Sequence, residues 1–139
     1  MTLVDQLNQR VHGRVMQLRR DITDEMDKHK SHDRVDKVCT YALPKINNLI
    51  QFINSIGLKP DDCRALGEFF SDFCRPHIWG TGSWGNKKLA CLFIMKRCVD
   101  NDMHETMLAI YEQAATEKIQ NELLDIMPGH VATALRLMR

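Results

Sequence analysis

The longest uninterrupted apolar run in the chain is Leu89–Met95, which lies within the segment Ser83–Val99. Polar residues close the run at Asn86–Lys88 and at Lys96–Arg97. The segment is longer than an ordinary strand of ~5–6 residues, so it is predicted to be a helix with Ser83 as its N-cap. A helix that is apolar on every face is typical of the centre of a bundle. We therefore expect a buried central helix here.

Two helical regions, each with one apolar stripe, are predicted before this segment. The first opens with Thr2 and Asp5, which are spaced as a weak capping box. The second covers residues 33–55 and is expected to split or kink at Pro44, because proline removes a helical N–H, and to end at Gly57. The first stripe is Leu3, Leu7, Val11, Val15, Leu18 and Ile22, and the second is Val35, Val38, Ala42, Ile46, Leu49, Ile50 and Ile53.

Three more helices are expected, one before the central helix and two after it. Pro60 should begin a helix that ends near Arg75, with a loop over residues 76–82 after it. Asp102 should cap a long helix over residues 103–126, and a short closing helix should follow Pro128. The predicted fold class is all-α, a bundle of about six to eight helices around a central hydrophobic helix, in a single domain over residues 1–139.

Charge and cysteine content narrow the class of protein. The chain has 139 residues and a formal net charge of +1, which gives no electrostatic basis for binding nucleic acid or a membrane surface. Its five cysteines are scattered and odd in number, which is typical of free thiols in a reducing compartment. No secretory signal or apolar tail is visible, so we expect a cytoplasmic protein without a membrane anchor.

Motifs for catalysis or for a cofactor are weak in this sequence. Cys74 and His77 could supply two metal ligands, but a zinc site needs four, and the sequence has no second pair. Gly80 and Gly85 are spaced as in a phosphate-binding loop, but the lysine and hydroxyl residue that should follow directly are missing. Cys91 is interpreted as a small hydrophobic residue. We expect no enzyme, no cofactor and no metal.

The apolar face of the helix after Pro60 has two interpretations. It carries Leu66, Phe69 and Phe73 at helical spacing. Such a face is most often part of a core, but it can also line a groove that accepts a partner helix. The spacing alone leaves both interpretations open.

Several short motifs, in order, resemble the Bcl-2 family of apoptosis regulators. Ser83–Asn86 stands where that family has the Asn-Trp-Gly-Arg of its BH1 motif, and Phe93 falls on a position that is usually aromatic. Glu68–Asp72 is similar to the Glu-Leu-Phe-Arg-Asp of the preceding helix, and Leu123–Leu124 to part of the BH2 motif. The short length and eroded motifs resemble the divergent Bcl-2-like apoptosis inhibitors of large DNA viruses.

The resemblance implies a protein that blocks apoptosis by sequestering the BH3 helices of pro-apoptotic proteins of the Bim, Bak and Bax class in a hydrophobic groove. The arginine that pairs with the ligand's aspartate in the family is Asn86 here, so we expect Asn86 to donate a hydrogen bond and Lys87 or Lys88 to supply the charge. The remaining groove residues expected from the resemblance are Ala65, Glu68, Phe69, Asp72, Gly85, Leu89 and Phe93, and those expected from helical spacing are Val38, Ala42, Ile46 and Ile50.

Another class of function remains open at this point. A death-fold or similar helical adaptor that acts by self-association would also be all-helical, although it would not explain why Trp84–Gly85 precedes a run that is apolar throughout. A homodimer is compatible with either function. With no anchor, the protein would reach the mitochondrial surface only through a partner.

Overall fold

A computed structural model describes residues 1–31, 33–79, 84–114 and 117–138, with the backbone alone for residues 76, 77 and 84–87. Within these ranges the chain forms seven α-helices and two short 3-10 helices, with no strand. It divides into two compact units, Met1–Phe69 (unit 1) and Phe70–Arg139 (unit 2). The all-α class is confirmed, whereas a Bcl-2-like arrangement in a single domain stays a prediction. No helix in the described ranges is long and apolar enough to cross a membrane.

Unit 1 is built on two long helices, α1 (Leu3–Lys28) and α2 (Arg34–Ser55), which pack against each other. The predicted capping box is confirmed, because the Asp5 N–H donates to Thr2 Oγ1 at 3.1 Å and the Thr2 N–H donates to Asp5 Oδ2 at 3.2 Å. From Val11 onward the predicted stripe of α1 is buried, but Leu3 is 68% exposed. Leu7 is half-buried, so full burial of the stripe begins about two turns into the helix.

Of the two expectations at Pro44, the split into two helices is wrong, since α2 is one continuous helix through that residue, and the kink stays a prediction. Buried apolar residues such as Ala42 and Ile46 stand on both sides of the proline. Their burial offsets the lost hydrogen bond and the steric conflict, which together cost ~3 kcal/mol in a helix interior. The predicted end is confirmed: Gly57 has φ 87°, and the Leu58 N–H donates to the Ile53 carbonyl at 3.2 Å. This pattern is a Schellman motif.

Pro60 does not begin the next α-helix, because Pro60–Asp62 forms a separate 3-10 helix and α3 spans Arg64–Phe73. Asn8 of α1 holds this turn in unit 1. Its side-chain N–H donates to the Asp62 carbonyl at 3.0 Å, and its Oδ1 accepts from the Arg64 N–H at 3.0 Å. The side chain thus satisfies one of the free N–H groups at the start of α3.

Unit 2 contains the end of α3, a 3-10 helix at Pro76–Trp79, and then α4 (Trp84–Asp100), α5 (His104–Gln113), α6 (Glu117–Ile126) and α7 (Gly129–Leu137). Helix α4 packs on α5, α6 and the 3-10 helix, so it is the central helix of this unit. The expected N-cap Ser83 and residues 80–82 of the expected loop lie outside the described residues. Pro76–Trp79, also expected to be loop, is a 3-10 helix, and the Trp79 indole N–H donates to the Phe73 carbonyl at 2.8 Å.

The expected long helix over residues 103–126 is wrong, because α5 ends at Gln113 and α6 begins at Glu117. Ala114 leaves the helical conformation with ψ 129°. The Tyr111 carbonyl instead accepts from the Ala114 N–H at 3.2 Å and from the Gln120 side chain at 3.1 Å. These two bonds close the last turn of α5.

Asp102 is not the N-cap of α5, a position that Met103 occupies. Asp102 instead has φ 54° and follows the end of α4, where the Met103 N–H donates to the Cys98 carbonyl at 2.9 Å. This is a second Schellman motif, with aspartate at the left-handed position. Short polar side chains such as aspartate tolerate that conformation better than most residues do.

Candidate functional site

Leu89 and Phe93 on α4, like Leu92, depart from the full burial expected of the apolar run. Ala90, Cys91 and Ile94 are buried, as the apolar run predicts. Leu89, however, is 44% exposed, and Phe93 is half-buried. Residues four positions apart lie on the same face of a helix. Leu89 and Phe93 therefore form an apolar strip, which we call the α4 strip, that the neighbouring helices of unit 2 leave partly uncovered.

Phe93 is held between an aromatic ring and a cation. Its ring centroid lies 6.1 Å from that of Phe73, and the Arg97 guanidinium carbon lies 5.0 Å from the Phe93 ring centroid. Arg97 is 9% exposed and is paired with Asp100 at 3.6 Å. A guanidinium over an aromatic face is attracted to the ring, so Arg97 fixes the orientation of Phe93. The sequence interpretation missed this role, although the spacing of four residues could have indicated it.

Further packing supports this end of unit 2. The Trp79 ring meets the Phe73 ring edge-on, with centroids 5.1 Å apart, and Trp79 is buried. The Cys91 thiol points at the Cys74 carbonyl, with 3.7 Å between sulfur and oxygen. Edge-on aromatic pairs add stability beyond their buried area. The α4 strip therefore rests on a base of packed side chains.

Lys88, expected to supply charge to a ligand, makes an ion pair inside unit 2. Its Nζ lies 3.1 Å from Glu122 Oε1 on α6, and both side chains are about one-third exposed. The second carboxylate oxygen, Glu122 Oε2, is buried and accepts no hydrogen bond from the described residues. The charge of Lys88 is therefore engaged by Glu122. The sequence interpretation missed Glu122, and no local pattern could have found a partner on another helix.

The predicted residues of unit 1 have a different environment from the α4 strip. Val38, Ala42, Ile46 and Ile50 are between 0% and 4% exposed and belong to the core in which α2 packs on α1. On the part of α3 in this unit, Phe69 is buried, Ala65 is half-buried and Glu68 is exposed. The structure thus shows the four α2 residues as core, and their role in binding stays a prediction.

The remaining predicted residues belong to unit 2. Asp72, half-buried on α3, is paired with Arg75 at 3.2 Å. Gly85, Asn86 and Lys87 lie in the first turn of α4, but their side chains are outside the described residues. The structure therefore places Leu89 and Phe93 on one face of α4 and Lys88 beside that face, paired with Glu122. It leaves the expected hydrogen bond from Asn86 as a prediction.

Other chemistry-bearing groups of the described residues are engaged or dispersed. An open hollow of about 250 Å³ on unit 1 contains Lys45, whose Nζ lies 3.5 Å from Asp21 Oδ2. Burial acts to lower the pKa of Lys45, but attraction to Tyr41 and Asp21 outweighs it and raises that pKa. Burial raises the pKa of the Cys63 thiol. Three or more potential metal ligands do not come together anywhere in the described ranges.

Comparison with known proteins gives no further indication of the family or function of this chain. Neither a protein-family model, nor a curated protein, nor a solved structure matches this chain.

Proposed function

We propose that this protein regulates apoptosis by binding BH3 helices of pro-apoptotic proteins of the Bim, Bak and Bax class, and that it acts as an inhibitor by sequestering them. The α4 strip is the observation that supports this proposal most directly. It offers a partly exposed apolar surface beside the buried residues Ala90, Cys91 and Ile94, in the segment that resembles the BH1 motif. An amphipathic helix binds such a surface through apolar side chains spaced at i, i+3 or i+4, and i+7.

The apolar part of the proposed contact comes from Leu89 and Phe93. Burying exposed apolar area contributes roughly 25 cal/mol per Å², and a surface that is already ordered loses little entropy on binding. Phe73 and Arg97 hold Phe93 in place, so the strip needs little rearrangement to accept a ligand. The protein would act by binding alone, without a catalytic step or a cofactor.

The polar part of the proposed contact is the ligand's aspartate. A charge buried without a partner costs about 2–5 kcal/mol of binding free energy, so the protein must supply a cation or donors. Lys88 stands next to Leu89 in the chain, and the first turn of α4 adds free N–H groups and the positive end of a helix dipole. Loss of the family's arginine further predicts a narrower set of ligands than the broad binders of the family accept.

The experiment that tests this function compares two exposed leucines of unit 2. Leu89→Ala removes part of the α4 strip, whereas Leu108→Ala removes a leucine of similar exposure, 37%, on α5. We expect Leu89→Ala to weaken binding of a Bim BH3 peptide by at least about fivefold, measured by calorimetry, and Leu108→Ala to leave it unchanged. Equal affinities for both variants and the wild type would contradict the proposed surface.

A further inference from the structure

The ion pair between Lys88 and Glu122 has one oxygen poorly satisfied. Glu122 Oε1 lies 3.1 Å from Lys88 Nζ, while Glu122 Oε2 is buried and accepts no hydrogen bond from the described residues. A buried acceptor without a donor is destabilising, and nearly all such groups in proteins are satisfied. The carboxylate would therefore gain solvation if it moved away from its present position. A negatively charged group of a ligand can therefore displace Glu122 from Lys88.

The position of Lys88 makes such a replacement relevant to ligand binding. Lys88 directly precedes Leu89 and lies about 100° around α4 from it, beside the α4 strip and not on it. Its long flexible stem can carry the ammonium group that Glu122 holds to a carboxylate of a ligand on that strip. Lysine presents a compact charge with three donors on a flexible stem, so it can turn from one carboxylate to another. Two carboxylates at one ammonium repel each other, so binding of the second weakens binding of the first.

We infer that Glu122 is an internal competitor for Lys88, which lowers the affinity of the protein for acidic helices and sets how strongly the ligand's aspartate is recognised. This inference rests on the proposed function, because it assumes that an acidic helix binds at the α4 strip. In the free protein Glu122 neutralises Lys88. In the complex the ligand's carboxylate takes its place, and Glu122 turns toward solvent.

The test is a calorimetric titration of the full chain with a Bim BH3 peptide and with the same peptide carrying asparagine in place of its aspartate. Glu122→Gln removes the competing charge. Asp125→Asn is its matched control, because it removes one charge from the same helix, where Asp125 is paired with Arg136 at 3.7 Å and not with Lys88. Thermal unfolding of each variant shows whether the fold is retained.

We expect Glu122→Gln to raise the affinity for the aspartate peptide about threefold to fivefold, the scale of a partly exposed ion pair. It should leave the affinity for the asparagine peptide unchanged, and Asp125→Asn should change neither. In a Lys88→Gln background the effect of Glu122→Gln should disappear. If Glu122→Gln unfolds the protein, Glu122→Asp provides the second test, with a smaller rise because the shorter side chain withdraws from Lys88.

Two outcomes separate the inference from the function on which it rests. Binding of the aspartate peptide with the same affinity by wild type, Glu122→Gln and Glu122→Asp would overturn the inference alone. Equal gains for the aspartate and asparagine peptides would also overturn it, because the effect would not pass through the ligand's charge. Absence of binding by every variant would overturn the proposed function together with the inference.

Discussion

Helices α2 and α4 each dominate the packing of their own unit, but they differ in how completely their apolar surface is buried. The apolar stripe of α2 is covered, with Val38, Ala42 and Ile46 at 0% exposure. On α4 the residues on one side are equally buried, but Leu89 is 44% exposed. The apolar residues of α2 form a single stripe, whereas the apolar run of α4 covers every face, and its neighbours in unit 2 leave Leu89 partly exposed although full burial is typical of such a helix. This difference is the basis on which we propose the α4 strip as the surface that a partner helix contacts.

The largest expected effect is a loss of stability, for which a buried residue of α2 is compared with the partly exposed Leu89 of α4. Ile46→Ala leaves a cavity in the α1–α2 core and should lower the free energy of unfolding by about 2–5 kcal/mol. Leu89→Ala removes a side chain that is nearly half exposed and should cost less than about 1 kcal/mol. Urea unfolding followed by circular dichroism measures both. If the two variants lost similar amounts of unfolding free energy, the difference in burial between α2 and α4 would not account for stability.

A smaller effect is expected where Arg97 supports Phe93. Arg97→Met keeps the apolar stem but removes the charge over the ring, and should cost about 1–2 kcal/mol of stability because the guanidinium is largely buried. It should also weaken binding of a BH3 peptide, since Phe93 loses an orienting contact. Arg136→Met is the control, because Arg136 is an exposed residue. Unfolding midpoints that coincide for both variants would rule out a special role for Arg97.

At the ends of the two helices, two matched substitutions are expected to change stability in opposite directions. Both helices end in a Schellman motif, with Gly57 after α2 at φ 87° and Asp102 after α4 at φ 54°. A side chain at Gly57 would meet no atom within 4 Å, so Gly57→Ala should cost about 1 kcal/mol through backbone strain alone. Asp102→Gly should raise stability by up to about 1 kcal/mol. Thermal unfolding shows whether each variant is more or less stable than the wild type. Lower stability of both variants would contradict this explanation.

The smallest effect concerns pH at the start of α1. The side-chain hydrogen bond with Thr2 is the main reason that the pKa of Asp5 is held below its usual value near 3.8. A lowered folded-state pKa stabilises the fold above the unfolded value, and this contribution is lost as pH falls through the folded value. Thr2→Ala should therefore lower the melting temperature more at pH 6 than at pH 3, measured by circular dichroism. A difference that stays constant over this range would contradict the coupling to Asp5.

Local chemistry in the sequence predicts much of the fold. The capping box at Thr2, the buried stripes of α1 and α2, and the stop at Gly57 each depend on residues within a few positions of one another. The apolar run predicts α4 and its place at the centre of unit 2 for the same reason. Such features follow from helical spacing and from backbone preferences, both of which can be read from neighbouring residues.

The features that sequence reasoning missed depend on residues far apart in the chain. Asn8 holds the start of α3 from 56 positions away, and Glu122 pairs with Lys88 from another helix. At Pro44 the packing of α2 overrides a local preference. Tertiary contacts decide these cases, so spacing predicts the α4 strip as apolar but not that it remains partly exposed. Asp102 is an exception, because the backbone bond from the Met103 N–H to the Cys98 carbonyl that ends α4 there is local.

The most direct test of the proposed function is a calorimetric titration of the purified protein with a panel of BH3 peptides, including those of Bim, Bak and Bax. We predict that at least one peptide binds with a dissociation constant of about 1 μM or lower, that affinities differ widely across the panel, and that the binding peptides raise the melting temperature. Absence of heat and of any shift in melting temperature with every peptide would contradict the proposal that this chain sequesters BH3 helices.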